Sequence, residues 1–412
     1  MNNTLQRGQI LDRYATHINA ARVGLLKALQ IDLVVDRSEG YRVWDMDGRE
    51  FLDLDLRAGV YNLGHRNPNI IAALKDALKN DDMGFALFPG TNQSLLAEQL
   101  GKSSGLSHTL FAASGTEAND MAIQVARRIT GRRRILSCSS GYHGATGLSS
   151  AAGNPEFSMR FNSDYPKEFV TFGVDEVETI ELALKGEDVA AVMLEPSCNA
   201  AGYPSVRPTF WSDVRRLCDE NGSLLIIDEI VTGLGRSGVP WGFQNVGVNP
   251  DIAVTAKGLS GGVYPIAAVM LSDRSAAWLT QDFAGFAGTF AGGELACAVG
   301  IAALELSTSE STLARVNQHM QCFGRALHKL CSRRSWIAGV RQFGLLFGLE
   351  LEGEDSGIRM IKHLFDQGVL TFPAANAGNV VNLKLGHLVD DEFCDGLLER
   401  MDRAFESFGR TI

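Results

Sequence analysis

The chain has 412 residues, 45% hydrophobic and 21% charged, and at roughly 150 residues per domain this length holds two or three domains of an ordinary globular protein. Its 38 basic and 48 acidic residues leave a net charge of −10 with the histidines neutral, which works against nucleic acid or anionic lipid as a partner. No uncharged apolar run approaches the roughly 18 residues of a membrane span, and residues 1–12 are polar, so no membrane partner and a cytoplasmic location are expected.

Short β-rich pieces come first. Residues 31–35, 41–45 and 50–54, separated by turn chemistry at Ser38-Glu39-Gly40 and Asp45-Met46-Asp47-Gly48, predict an antiparallel meander. From about Asn67 the rhythm changes to apolar strand, loop and amphipathic helix, which predicts βα units around a mainly parallel sheet. Its expected strands are 108–112, 134–138, 189–194, 223–227, 251–256 and 266–271. Ala118, Met121, Ala122, Val125, Ala126 and Ile129 recur at helical spacing with Gly131 as the stop, and Phe210, Val214 and Leu217 mark a helix ending before Gly222. Beyond Ser307 the chain reads as helix-rich, with a strand near 345–351, apolar segments 368–372 and 380–385, and a last helix from Asp391. The seven cysteines are scattered without a CxxC pair, so they read as small hydrophobes rather than a disulfide or zinc framework.

Several loops after apolar runs carry residues suited to chemistry, each with a plainer reading beside it. Ser114-Gly115-Thr116-Glu117 opens a helix, where free N–H groups and the helix dipole suit a phosphate; the same four residues also make an ordinary capping box. In Gly141-Tyr142-His143-Gly144 the aromatic pair would stack on a flat ligand or simply pack. Asp228 and Glu229 follow the buried run Leu224-Leu225-Ile226-Ile227. A carboxylate there needs a cationic partner or a hydrogen-bond network; a protonated ring nitrogen would serve, as would purely structural pairs. Lys257 ends the apolar run 251–256 and precedes Gly258, Gly261 and Gly262. A partly buried lysine has a lowered pKa and suits Schiff-base chemistry, whereas the plain reading is a snorkelling side chain. Gly233-Leu234-Gly235-Arg236-Ser237-Gly238 matches a dinucleotide fingerprint, with Asp251 18 residues after its first glycine. That fingerprint requires a helix, and Pro240, Gly242, Gly247 and Pro250 argue against one. Arg127, Arg128, Arg132, Arg133 and Arg134 complement the dipole at a helix C-terminus.

Taken in order, Ser114-Gly115-Thr116-Glu117-Ala118-Asn119, Tyr142-His143-Gly144, Glu195-Pro196, Asp228-Glu229 with the glycine run 232–238, Lys257-Gly258-Leu259-Ser260-Gly261-Gly262 and Gly288-Thr289-Phe290 resemble the class III aminotransferases. This is the ω-aminotransferase or acetylornithine aminotransferase-like group of pyridoxal 5′-phosphate (PLP) enzymes of fold type I. The likeness runs from about Asn62 to Arg341. It implies an α/β fold with a mainly parallel central sheet in a large PLP-binding domain, residues 61–306, and a smaller α+β domain built from both termini, 1–60 and 307–412. It also implies PLP as cofactor, Lys257 as the catalytic amine on the cofactor aldehyde, and Asp228 at the pyridine nitrogen. Ser114, Gly115 and Thr116 would take the phosphate, Tyr142 and Ile230 the two ring faces, with His143 and Glu195 among the cofactor-binding residues. Thr289 would reach a phosphate in the neighbouring subunit of a homodimer.

The sequence also departs from that family. Val231 stands where many relatives carry glutamine. The C-terminal arginine followed by two prolines, which binds a substrate α-carboxylate in the family, is replaced by Val380-Val381-Asn382-Leu383-Lys384-Leu385-Gly386-His387. Lysine lacks the arginine fork, so Lys384 and Arg57 are alternative anchors, with Tyr61 in the segment expected to line the pocket. The resemblance implies ping-pong transfer of an amino group between an amine or amino acid and a keto acid or aldehyde; the altered arginine motif points to a donor or acceptor without a standard α-carboxylate, such as an aldehyde or a specialised metabolite. Aminomutase, decarboxylase or phospho-lyase chemistry of the same family is the alternative, and an NAD-dependent oxidoreductase using residues 233–238 is the distant one.

Overall fold

The computed structural model describes residues 6–84, 88–159, 167–282, 285–286 and 288–411. Near the N-terminus β1 (Val35–Glu39), β2 (Arg42–Asp45) and β3 (Glu50–Asp53) form the expected antiparallel meander. Its first strand starts at Val35, the last residue of the predicted 31–35. Ile31 and Val34 are buried, Val34 against Leu11 and Val23. These apolar residues are used for packing, and the polar run Arg37-Ser38-Glu39 forms the ladder with β2. Arg37 lies 3.7 Å from the Trp44 ring centroid, a cation–π contact across the pair.

The large sheet contains β4 (His108–Ala112), β5 (Arg134–Cys138), β6 (Phe169–Phe172), β7 (Val189–Leu194), β8 (Leu224–Asp228), β9 (Ile252–Thr255) and β10 (Ala267–Leu271). Their order is β4-β10-β9-β8-β7-β5-β6. Strand β10 is antiparallel to both neighbours and the remaining pairs are parallel. Every residue of β7 to β10 is buried. A parallel sheet covered on both faces requires this, and it is why these strands read as unbroken apolar runs. Strand β6, only four residues at the sheet edge with its middle two half-buried, lacks that signal and was not anticipated. Because β4 and β9 are both antiparallel to β10, β4 points the same way as the parallel set. The carboxyl ends of β4, β5, β7, β8 and β9 therefore share one edge.

The C-terminal part contains more strand than the helix-rich expectation. Strands β11 (Ile337–Phe343), β12 (Leu346–Leu351), β13 (Val369–Leu370), β14 (Phe372–Ala374) and β15 (Ala377–Lys384) accompany the long helices Glu310–Cys331 and Asp391–Gly409. In β11 half-buried and exposed residues mix without a regular alternation, so it carries little period-two signal. Strand β13 pairs in parallel with β3, and Tyr41, Leu52 and Leu54 share an apolar core with Phe347, Leu383 and Phe405. Residues 230–241 form turns with no helix, so the glycine run 233–238 lacks the element a dinucleotide site needs. Among the described residues no helix is long and apolar enough to cross a membrane. Six of the free cysteines are buried and Cys322 is exposed.

Candidate active site

A cavity of about 470 Å³ opens where β4, β5, β7, β8 and β9 end, the edge at which open α/β sheets collect ligands. Lys257 lines it two residues past the end of β9, at φ 41°. An L-residue in the left-handed region costs on the order of 1–2 kcal/mol. The turn Lys257–Ser260 that follows stops at Gly261, φ 53°, and the Ser260 hydroxyl donates to the Lys257 carbonyl at 2.6 Å. Among the described residues no group hydrogen-bonds to Nζ. Burial pushes the amine pKa down, the Asp228 and Glu195 charges push it back up, and Lys384 lowers it further. Burial prevails, and a larger share of the amine is neutral and nucleophilic.

Asp228, the last residue of β8, is 3% exposed and reaches the same cavity. Its Oδ2 accepts from His143 Nδ1 at 2.8 Å and Asn119 Nδ2 at 2.9 Å, and its Oδ1 accepts the Ile230 N–H at 3.0 Å. Burial of His143 disfavours its charged form, but the hydrogen bond and charge of Asp228 outweigh that, and its pKa is raised. Its Nε2 is buried without a partner among the described residues. Glu195 follows β7 and accepts the N–H groups of Tyr142 at 3.3 Å and Asn199 at 3.2 Å. Burial raises its pKa against the opposing pull of His143.

The helix Gly115–Thr130 starts at the cavity. Half of the expected capping box is present: Ser114 Oγ accepts the Glu117 N–H at 3.4 Å, while Glu117 Oε2 accepts the N–H of Ala113, one residue before the cap, at 3.0 Å. The Ser114 cap leaves the first-turn N–H groups of Gly115 and Thr116 for the cavity side, so capping and ligand binding are compatible here. Thr116 Oγ1 joins Thr146 Oγ1 at 2.7 Å and Ser149 Oγ at 2.6 Å. A Cβ on Gly115 would sit 2.8 Å from Ile230 Cδ1 and 3.3 Å from Ala256 Cβ, so a larger residue would have to push the tip of Ile230 aside. Tyr142, 40% exposed, lines the cavity with Ile230, Val231 and Tyr61, and the Tyr61 ring lies 3.8 Å from that of His65.

An unpartnered amine, a buried carboxylate facing the cavity, a helix start rich in N–H groups and an aromatic ring fit a flat cofactor bearing an aldehyde, a basic ring nitrogen and a phosphate. Two predicted residues stand apart. Lys384 is buried, pairs with Asp55 at 3.3 Å, and does not line the cavity. Thr289 is exposed and borders a separate small hollow with Met83 and Glu294. Arg127, Arg128 and Arg134 form ion pairs with Glu168, Asp282 and Asp188, partners that the dipole reading does not name. Sequence reasoning gave no role to Asn119, Thr146 or Ser149. The available signal for Asn119 was one amide on an otherwise apolar helix face.

Residues 26–405 match the family described as aminotransferase class-III. The chain is 35% identical over 402 residues to an uncharacterized aminotransferase of Archaeoglobus fulgidus, covering 97% of this chain and 94% of that one. It is 32% identical over 377 residues to an acetylornithine aminotransferase of Caldanaerobacter subterraneus, with coverage of 90% and 94%. The solved N-acetylornithine aminotransferase of Stenotrophomonas maltophilia superposes with a TM-score of 0.80 at 28% identity, covering 95% of this chain and 100% of that one. The ornithine aminotransferase of Toxoplasma gondii, at 24% identity, shares the fold with a TM-score of 0.90 over 100% and 97% of the two chains.

Proposed function

The chain belongs to the class III aminotransferases, and from that premise we propose how its residues divide the work of amino transfer. It is a PLP-dependent enzyme that moves an amino group between an amine or amino acid and a keto acid or aldehyde by a ping-pong mechanism. When bound, PLP supplies an aldehyde that takes up the amino group and a protonated ring that withdraws electrons from the substrate carbon.

Lys257 Nζ would hold the cofactor aldehyde and would also carry the proton to and from the substrate carbon. The lowered pKa of Lys257 suits both duties. Asp228 holds the protonated ring nitrogen, while His143 and Asn119 fix its carboxylate. Ser114, Gly115 and Thr116 bind the phosphate, Tyr142 and Ile230 cover the ring faces, and Glu195 orders the loop beneath Tyr142. The same reading makes the enzyme a cytoplasmic homodimer in which the exposed Thr289 reaches the neighbouring phosphate. Residues 61–306 form its PLP domain, and 1–60 with 307–412 form the small domain.

The observation that carries this reading is that Lys257 and Asp228 line one cavity, the amine without a protein partner and the carboxylate anchored by two side chains. Purified protein loaded with PLP should be yellow, and hydroxylamine should erase the colour. Lys257→Ala should lose both turnover and that absorbance; wild-type-like turnover in the variant refutes the assignment. Light scattering should give a dimer mass, and full activity in a monomer would remove the role given to Thr289.

A further inference from the structure

The backbone after β3 takes an uncommon course. Leu56, Arg57 and Ala58 have φ of 50°, 52° and 56°, three successive L-residues in the left-handed region, each at on the order of 1–2 kcal/mol. Side chains on both sides hold the turn. Asp53 Oδ1 accepts the N–H groups of Asp55 at 3.0 Å and Leu56 at 2.9 Å, and Asp55 Oδ2 accepts that of Ala58 at 3.0 Å. The buried Arg236 donates to the Gly59 carbonyl at 2.9 Å. Strain this thoroughly held points to a functional segment.

The turn places Arg57 in the lining of the cavity that Lys257 and Asp228 share. Among the described residues its guanidinium has no acceptor, although two carboxylates lie within four residues of it. Asp55 pairs with Lys384 at 3.3 Å, and Asp53 Oδ2 takes His65 Nε2 at 2.8 Å. The other nearby cations are committed. Lys384 is spent on Asp55, and Arg236 donates to the carbonyls of Val231 and Gly59; neither lines the cavity. On β15, Asn382 gives its amide N–H to the Asn199 carbonyl at 2.9 Å, so that strand offers no unpaired charge. Apart from Lys257, Arg57 is the one lysine or arginine in the cavity wall among the described residues.

We propose that Arg57 is the specificity-determining residue that binds a substrate carboxylate, and that the carboxylate sits at the cavity mouth, remote from the amine being transferred. The proposal rests on the amino-transfer reading above. Arg57 is exposed whereas Asp228 is buried at the strand ends, so a carboxylate held in the guanidinium fork leaves the far end of the substrate directed inward to Lys257. Two parallel N–H···O contacts to one carboxylate make this a charge-assisted pair with fixed orientation.

Arg57→Asn removes the charge while keeping a residue that tolerates the left-handed backbone, and Arg57→Lys keeps the charge without the fork. On PLP-loaded protein, KM and kcat are measured for linear ω-amino carboxylates and for alkylamines of matched length. Binding of pentanoate, which carries no amine to transfer, is followed by calorimetry. Loss of a charged hydrogen bond of about 1.5–3 kcal/mol predicts that Arg57→Asn raises KM for the carboxylated amines and Kd for pentanoate about 10- to 100-fold. Changes in kcat and in alkylamine KM should be small by comparison, and Arg57→Lys should fall between. Equal effects on both amine series, undiminished pentanoate binding, or a wild type that prefers alkylamines overturns the proposal alone. A wild type that binds no PLP overturns the amino-transfer reading and this proposal with it.

Discussion

Replacing Glu229 by glutamine isolates a contest between burial and hydrogen bonding beside the site. Glu229 follows β8 next to Asp228 and is 1% exposed. Its carboxylate accepts the Thr232 hydroxyl at 2.7 Å and the N–H groups of Gly242 at 3.0 Å and Phe243 at 2.6 Å, all favouring the ionised form. Burial opposes them, the Asp228 charge adds to it, and the pKa is pushed up from 4.5 to about 7. The folded protein therefore binds this proton more tightly than the unfolded chain, so stability declines as pH rises from the unfolded pKa through the folded one. At about 1.4 kcal/mol per pH unit, the interval is worth roughly 3 kcal/mol. Glutamine does not titrate; its amide also turns a donor toward other donors, a pH-independent loss of about 1–3 kcal/mol. Urea unfolding of both proteins from about pH 4.5 to about pH 8.5 measures the difference, since the carboxylate proton is exchanged across that range. The advantage of wild type over Glu229→Gln should shrink by roughly 3 kcal/mol toward the alkaline end. Parallel pH profiles would mean that the three donors cancel burial, and a wild-type advantage that grows toward the alkaline end would mean that they outweigh it.

Two further substitutions test the surroundings. Gly115→Ala places its Cβ 2.8 Å from Ile230 Cδ1 and 3.3 Å from Ala256 Cβ, so it should cost about 1–3 kcal/mol of stability and weaken PLP binding in an absorbance titration. Unchanged PLP affinity would separate Gly115 from the phosphate site. Lys384→Met leaves Asp55 without its cation; with the two side chains 4% and 21% exposed, the loss should lie near the lower end of the 3–5 kcal/mol, about 3 kcal/mol, typical of a broken buried pair. Adding Asp55→Asn should recover part of it, and a single variant as stable as wild type would show the pair to be inconsequential.

Much of the site is legible in the sequence because of how a parallel sheet is built. Strands buried on both faces must be apolar throughout, so the points where Leu224 to Ile227 give way to Asp228, and Ala256 to Lys257, stand out without any structure. Glycine marks other close approaches, as at Gly115. The left-handed turn at Leu56 to Ala58 contains no glycine and leaves no such mark; it is maintained by Asp53, Asp55 and an arginine 177 residues away from Gly59. Strand β1 begins late for a related reason, since Val34 has the composition of a strand but packs against Leu11 and Val23 of the N-terminal helices.

The order and chemical type of the groups at the sheet's carboxyl edge were determined by the sequence alone, because burial leaves polar residues only where an apolar run ends. Tertiary structure decided which charges neutralise one another and which stay open to a ligand. Asp228 meets Asn119 across 109 positions and Lys384 meets Asp55 across 329, leaving Lys257 and Arg57 as the cations facing the cavity. Electrostatic pairing depends on distance in space and on access to water, and neither is encoded in local spacing.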